Sequence, residues 1–168
     1  MILHTTVVEV PTGVCRQFYT FMLTCTDEQY QAWWPGTHLA WHTRVDRPGK
    51  LGNVVYFDEY VGQRRLKLEV VVKEIVPDRR IVWQLKKWAL LPAWLILEFA
   101  DTPDGIKVTH TLAIGFQGIG RALDLLLRLY FSAGYAKDLD EHARTEFPKL
   151  ASMLSRIQEN QLHTAGVK

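Results

Sequence analysis

Between residues 37 and 115 the sequence keeps a rhythm that leaves few architectures open. Stretches rich in β-branched and aromatic residues, at roughly 37–45, 53–61, 63–76, 80–88, 93–101 and 105–115, alternate with turn residues. Pro48-Gly49, Gly62, Pro77-Asp78 and Pro103-Asp104-Gly105 fill the breaks. Proline presets φ, and glycine and aspartate accept turn conformations, so strands joined this tightly run antiparallel. The pattern predicts an antiparallel meander closed by Gly118-Ile119-Gly120.

The flanks are of a different kind. Residues 3–10 alternate, with Thr6-Val7-Val8-Glu9-Val10 as their centre, and Pro11 ends them as a first strand. Val14, Phe18, Met22 and Cys25 then recur at helical spacing. Asp27 caps a second short helix through Trp33, which Pro35-Gly36 stops. Beyond the meander, Ala122 to about Gln158 reads as helix, with Leu123, Leu126, Leu127, Tyr130 and Phe131 as its first apolar face. Gly134 and Pro148 lie inside it, and an interior proline removes one backbone bond and kinks the axis. The chain is thus expected to form one α+β domain over residues 1–160, with 161–168 as a flexible tail.

Composition narrows the partners. Apolar residues make up 48% and charged residues 23%, a globular balance. The formal charge of +2 comes from scattered Lys and Arg with no basic stripe, so nucleic acid is not expected as a partner. Cys15 and Cys25 have no metal-type spacing and suggest a reduced, cytoplasmic protein. The N-terminus shows no signal-peptide pattern. The apolar run from Trp88 to Leu97 is short and broken by Pro92, so strand ends and a connection explain it better than a membrane span. Trp88 beside Lys86 and Lys87 is an interfacial composition, yet membrane contact is not expected. Leu125, Leu129 and Leu154 could serve a homodimer or belong to the core.

Strand, two short helices, six strands and a long helix is an order that resembles the helix-grip superfamily of START, birch-pollen-allergen-like and polyketide-cyclase-like domains. Gly52-Asn53-Val54-Val55-Tyr56-Phe57 and the stretch from Val72 to Trp83 carry its strand-turn-strand rhythm. The resemblance implies a curved seven-stranded antiparallel sheet with the C-terminal helix across its concave face, enclosing a pocket for a small hydrophobic molecule. It does not choose between an enzyme and a carrier.

A candidate site begins at His142 and Glu146. One helical turn separates them, so they share a face and can converge on a metal ion, although such a pair alone is more often part of a solvated face. In β-type alternation Glu59 shares its side with Val55 and Phe57, and a carboxylate on an apolar face needs a partner. The Pro35-Gly36 turn delivers His38 to the start of a strand. Trp33 to His38 as Trp-x-Pro-x-x-His counted from Trp33, Tyr30, Asp58-Glu59-Tyr60-Val61-Gly62 and His-x-x-x-Glu-Phe-x-x-Leu-Ala over 142–151 resemble the diacetylphloroglucinol and phloretin hydrolase family. Those proteins are zinc-dependent hydrolases that cleave a carbon–carbon bond between an acyl group and a phenolic ring. The resemblance implies His38, Glu59, His142 and Glu146 as metal ligands and Tyr30 as a substrate-contacting catalytic hydroxyl.

Nitrogen and oxygen donors of this kind suit zinc and also take manganese, iron or nickel. Four protein ligands saturate a tetrahedral zinc, so catalysis needs a fifth position or a carboxylate that moves aside. The expected function is metal-dependent hydrolysis of a small aromatic or polyketide-like ketone. The alternatives are a metal-free carrier of a hydrophobic ligand and a cyclase or dehydratase working by acid–base chemistry. Glu69 alternates with Arg65, Lys67 and Lys73 and reads as a solvated face. His110 shares a face with Val108, Leu112 and Ile114 and reads as a core histidine bonded to a neighbour, and His42 reads equally well as near the site or as exposed.

Overall fold

The computed structural model describes residues 2–115 and 133–165. Its strands are β1 (Ile2–Val10), β2 (His38–Val45), β3 (Val54–Val61), β4 (Arg64–Val76), β5 (Arg80–Lys86), β6 (Leu90–Thr102) and β7 (Gly105–Ile114). The helices are α1 (Cys15–Thr24), α2 (Asp27–Trp33) and α3 (Ala133–Ala165). The strands form one antiparallel sheet in the order β1-β7-β6-β5-β4-β3-β2, so six strands follow one another as a meander and β1 closes on β7. This is the helix-grip architecture.

Alternation sets which face each residue takes. Val55 and Phe57 on β3, Val70 and Val72 on β4, Ile81 and Trp83 on β5, and Leu97 and Phe99 on β6 are buried in one core. The helices complete that core with Phe18, Tyr30, Trp33, Phe147 and Leu150. Polar contacts hold α3 to the sheet and to the other helices. The Thr6 hydroxyl donates to Asp140 at 2.9 Å, and the Trp33 indole donates to the Glu146 carbonyl at 2.6 Å.

Three local details differ from the sequence reading. The N-cap of α2 is Thr26, whose side chain accepts from Gln29 N while the Gln29 side chain accepts from Thr26 N. That reciprocal capping box leaves Asp27 as the first helical residue, free to accept from Trp41 N at 2.7 Å and to bond His42 Nδ1 at 2.9 Å. Pro92 lies within β6, where the pairing with β5 shifts register between Gln84 and Lys86; an irregularity of this kind is where a strand tolerates a residue without an N–H. Finally, α3 passes through Pro148 and continues over 161–165, the stretch that composition assigns to a tail. The apolar face predicted from Leu123 to Phe131, and the Leu125 and Leu129 of the homodimer alternative, lie outside the described residues.

Candidate functional site

Each predicted ligand is delivered by a different local device. Between α2 and β2, Trp34-Pro35-Gly36-Thr37 form a turn in which His38 N donates to Trp34 O at 3.0 Å, with Gly36 at φ +80°. His38 begins β2 opposite Glu59 of β3. The i, i+4 spacing brings His142 and Glu146 to the same side of α3.

These elements converge. His142 Nε2 lies 3.4 Å from Glu146 Oε2 and 3.6 Å from Glu59 Oε2. His38 Nε2 lies 3.7 Å from Glu146 Oε2 and 3.9 Å from Glu59 Oε2. Ligand atoms of His38, His142 and Glu146 all fall within 4.8 Å of one another, with Glu59 beside both histidines. Such separations are too long for good hydrogen bonds, and both ring nitrogens of His38 and Nε2 of His142 are buried without a partner. They suit donors around a small cation: atoms about 2.1 Å from a tetrahedral centre stand about 3.4 Å apart. The residues present therefore fit a divalent ion of the zinc type in distance, donor chemistry and unsatisfied polarity.

Electrostatics point the same way. Burial pushes the His38 pKa down to about 4, so its imidazole is neutral at pH 7 and free to act as a donor. Burial also opposes charge on His142, but Glu146 and Glu59 on either side outweigh it and lift that pKa to about 10. Burial raises Glu146 above the ordinary carboxylate range. It would raise Glu59 too, except that the two histidines and the Tyr30 hydroxyl hold it low. Without an ion, burial works against the Glu146 carboxylate, and His142 lies between the two acidic groups; a cation would relieve the cost of burying both as carboxylates.

Tyr30 sits behind the ligands. Its hydroxyl donates to Glu59 Oε2, and its ring stacks on His38 with centroids 4.0 Å apart and planes 5° from parallel. It is 1% exposed and is placed to hold Glu59 and His38 in position. Trp34 covers the outer side of His142, with ring centroids 4.9 Å apart.

Between sheet and helix lies a cavity of ≈ 790 Å³, lined by Phe57, Leu66, Leu95, Leu112, Tyr135 and other apolar side chains. Glu59 and His110 are among the polar groups on its wall. The sequence reading of His110 as a bonded core residue does not match the geometry. Its Nδ1 is buried with no partner, and burial lowers its pKa to about 4. No periodicity argument reveals this, because a satisfied core histidine and an unsatisfied one leave the same pattern. Glu69 does join a surface network, pairing with Arg44 at 2.5 Å and Lys86 at 3.7 Å. His42 turns to Asp27, away from the cluster.

Comparison with other proteins supports the fold. A Staphylococcus aureus protein of unknown function superposes with a TM-score of 0.58 at 8% identity, over 94% of this chain and 96% of that one. A Cytophaga hutchinsonii protein gives 0.57 at 9% identity, over 95% and 97%. A Nitrosomonas europaea protein gives 0.50 at 13% identity, over 83% and 92%. Likeness at these identities is one of fold alone. No curated protein matches the sequence significantly. No described helix is long and apolar enough to cross a membrane. Residues 21–130, which include His38 and Glu59 and stop short of His142 and Glu146, match the family of activator of Hsp90 ATPase homolog 1-like proteins, and the chain belongs to that family.

Proposed function

We propose that this chain binds a small, largely apolar molecule in the cavity between sheet and helix, and hydrolyses it with the help of a divalent ion held by His38, Glu59, His142 and Glu146. The observation that carries the reading is the buried convergence of two imidazoles and two carboxylates at 3.4–3.9 Å, with three ring nitrogens left unpartnered, beside a mostly apolar cavity that Glu59 helps to line. A zinc-type ion there would polarise a carbonyl or phenolic oxygen of the bound molecule. The chain's own residues supply the rest. Apolar side chains exclude water and orient the body of the molecule, Tyr30 fixes the Glu59 carboxylate and the His38 ring, and neutral His110 offers a nitrogen at the cavity wall for a proton on the substrate. A small aromatic or polyketide-like ketone, cleaved between acyl carbon and ring, is the substrate class implied by the resemblance of the four short motifs.

Metal analysis tests the reading first. Protein purified without chelators is expected to carry about one equivalent of zinc, manganese, iron or nickel, and stripped protein to take up zinc with a 1:1 isotherm. No metal as purified and no heat on titration would overturn it.

A second reading, a metal-free carrier of a hydrophobic ligand, is favoured by one feature: a charged His142 between Glu59 and Glu146 partly neutralises the site by itself. His142→Ala then leaves binding of a neutral naphthylamine dye unchanged, and added zinc alters nothing.

A further inference from the structure

The four-residue cluster is a partition between two different spaces. On one side is the apolar cavity, which Glu59 helps to line. On the other is a separate pocket of ≈ 270 Å³ lined by Trp34, Thr37, Tyr60, Asp138, His142 and Thr145, with Gly62 and Glu141 at its wall. His142 lines only this second pocket, and Glu59 lines only the first. The two spaces also differ in chemistry: the first has a mostly apolar wall with Arg44, Lys67, Lys86 and Lys87 among its charged lining groups, whereas the second is walled by two carboxylates and three hydroxyls, with no Lys or Arg in its lining.

We infer that the polar pocket is the port through which a divalent ion reaches the cluster, leaving the apolar cavity for the organic molecule. The inference rests on the metal reading above. An ion entering through the first cavity would pass an apolar wall that strips its water and four basic side chains, Arg44, Lys67, Lys86 and Lys87, that repel it. An ion entering beside Asp138 and Glu141 stays hydrated, and its local concentration is raised by their charge, until His142 and Glu146 replace its water. His142 is the receiving group. It is 8% exposed, its Nε2 has no partner, and it borders the port on one side and the cluster on the other.

Two features keep the port polar and open. Gly62 sits in the β3–β4 turn at φ +57°, and a Cβ there would lie 2.5 Å from Asp138 Oδ2, so only glycine lets Asp138 approach this closely. Lys137 pairs with Glu141 at 3.4 Å on the exposed side, and Lys149 stands over the Trp34 ring at 5.5 Å. Neither amine contributes to the lining.

Loading kinetics test the port, using the full chain stripped of metal and mixed rapidly with Co²⁺ or Zn²⁺. Thr145→Trp narrows the port from an exposed position on α3, and Leu112→Trp fills the apolar cavity instead. Thr145→Trp is expected to slow association and dissociation together, by about tenfold, with affinity and 1:1 stoichiometry unchanged, because a narrowed path hinders both directions equally. Leu112→Trp is expected to leave both rates near those of the wild type. Asp138→Asn with Glu141→Gln should slow association by about tenfold at low salt and flatten its salt dependence. Slowing by Leu112→Trp and not by Thr145→Trp would overturn the port and route the ion through the cavity. Unchanged rates in every variant would overturn it as well, with the metal site intact. Absence of any ion uptake by the wild type would remove the metal reading and the port with it.

Discussion

At the scale of single residues, the site depends on side chains that no partner satisfies and on one that satisfies another. Tyr30 is of the second kind: its buried hydroxyl meets the Glu59 carboxylate. Tyr30→Phe removes that donor while keeping the ring on His38. The expected cost is about 1–3 kcal/mol of unfolding free energy in denaturant titration. Zinc affinity should weaken by about 10–100-fold by calorimetry, as for other groups that orient a ligand. His110 is of the first kind, and its neutrality sets a pH dependence. Its folded pKa is about 4, below the usual histidine value, because of burial, with Glu59 opposing and His142 and His4 reinforcing the shift. Above the unfolded pKa of about 6.5 both states are neutral and nothing is lost. As pH falls from there toward 4, the unfolded chain takes up the proton that the folded chain refuses, and stability drops by at most about 3 kcal/mol. His38 behaves likewise, so His110→Leu should remove part of the acid-side slope between pH 6.5 and 4 and not all of it. An unaltered slope in urea titrations across that range would mean that the ring is not held neutral. The sequence marked Glu59 correctly as a carboxylate on an apolar face, since alternation alone decides that. It could not tell that the Tyr30 hydroxyl points at Glu59, because that contact crosses 29 residues and two elements.

At the scale of elements, α2 is short and yet fixes much of the site. It carries Tyr30 and Trp33, and its end leads through the Pro35-Gly36 turn to His38. A seven-residue helix has little stability of its own, so its capping box matters. Thr26→Ala is expected to cost about 1 kcal/mol, and to weaken zinc binding more than a surface Thr→Ala on β7, because fraying α2 loosens Tyr30 and His38 together. The check is a pair of calorimetric titrations, with circular dichroism to confirm that the sheet persists. Elements were legible where periodicity was long and clean, as in β3, β4 and β7, and less so where chain neighbours compete. Thr26 and Asp27 are both good caps, and only the reciprocal partner at Gln29 decides between them. Pro92 looked like a break because proline cannot serve a regular ladder, and the register shift opposite it, invisible in sequence, accommodates it.

At the scale of the molecule, the candidate ligands tie together parts of the chain that are far apart in sequence. His38 and Glu59 belong to one side of the sheet, at β2 and β3, whereas His142 and Glu146 belong to α3, whose other polar anchors include Thr6–Asp140 and Arg144–Val7 O on β1, Trp33 to the Glu146 carbonyl, and Gln17–Gln158 on α1. An ion bound by all four would add a direct clamp between α3 and the β2–β3 side of the sheet. Its effect on the whole fold follows from mass action, because the unfolded chain offers no assembled site. With free zinc at about 100 times the dissociation constant, the gain is about 2.7 kcal/mol. For a chain of this length that corresponds to a rise in melting temperature of about 5–10 °C, reversed by a chelator. His142→Ala should abolish the rise and should also lower the metal-free melting temperature, because the imidazolium that offsets buried Glu59 and Glu146 is lost with it. Hydrogen exchange supplies the spatial part of the prediction: zinc should slow exchange in α3 around residues 139–150 and at the β2–β3 pairing, and leave β5–β6 unchanged. Slowing spread evenly over the sheet would indicate general stabilisation, and protection confined to α3 would mean that Glu59 and His38 do not share the ion.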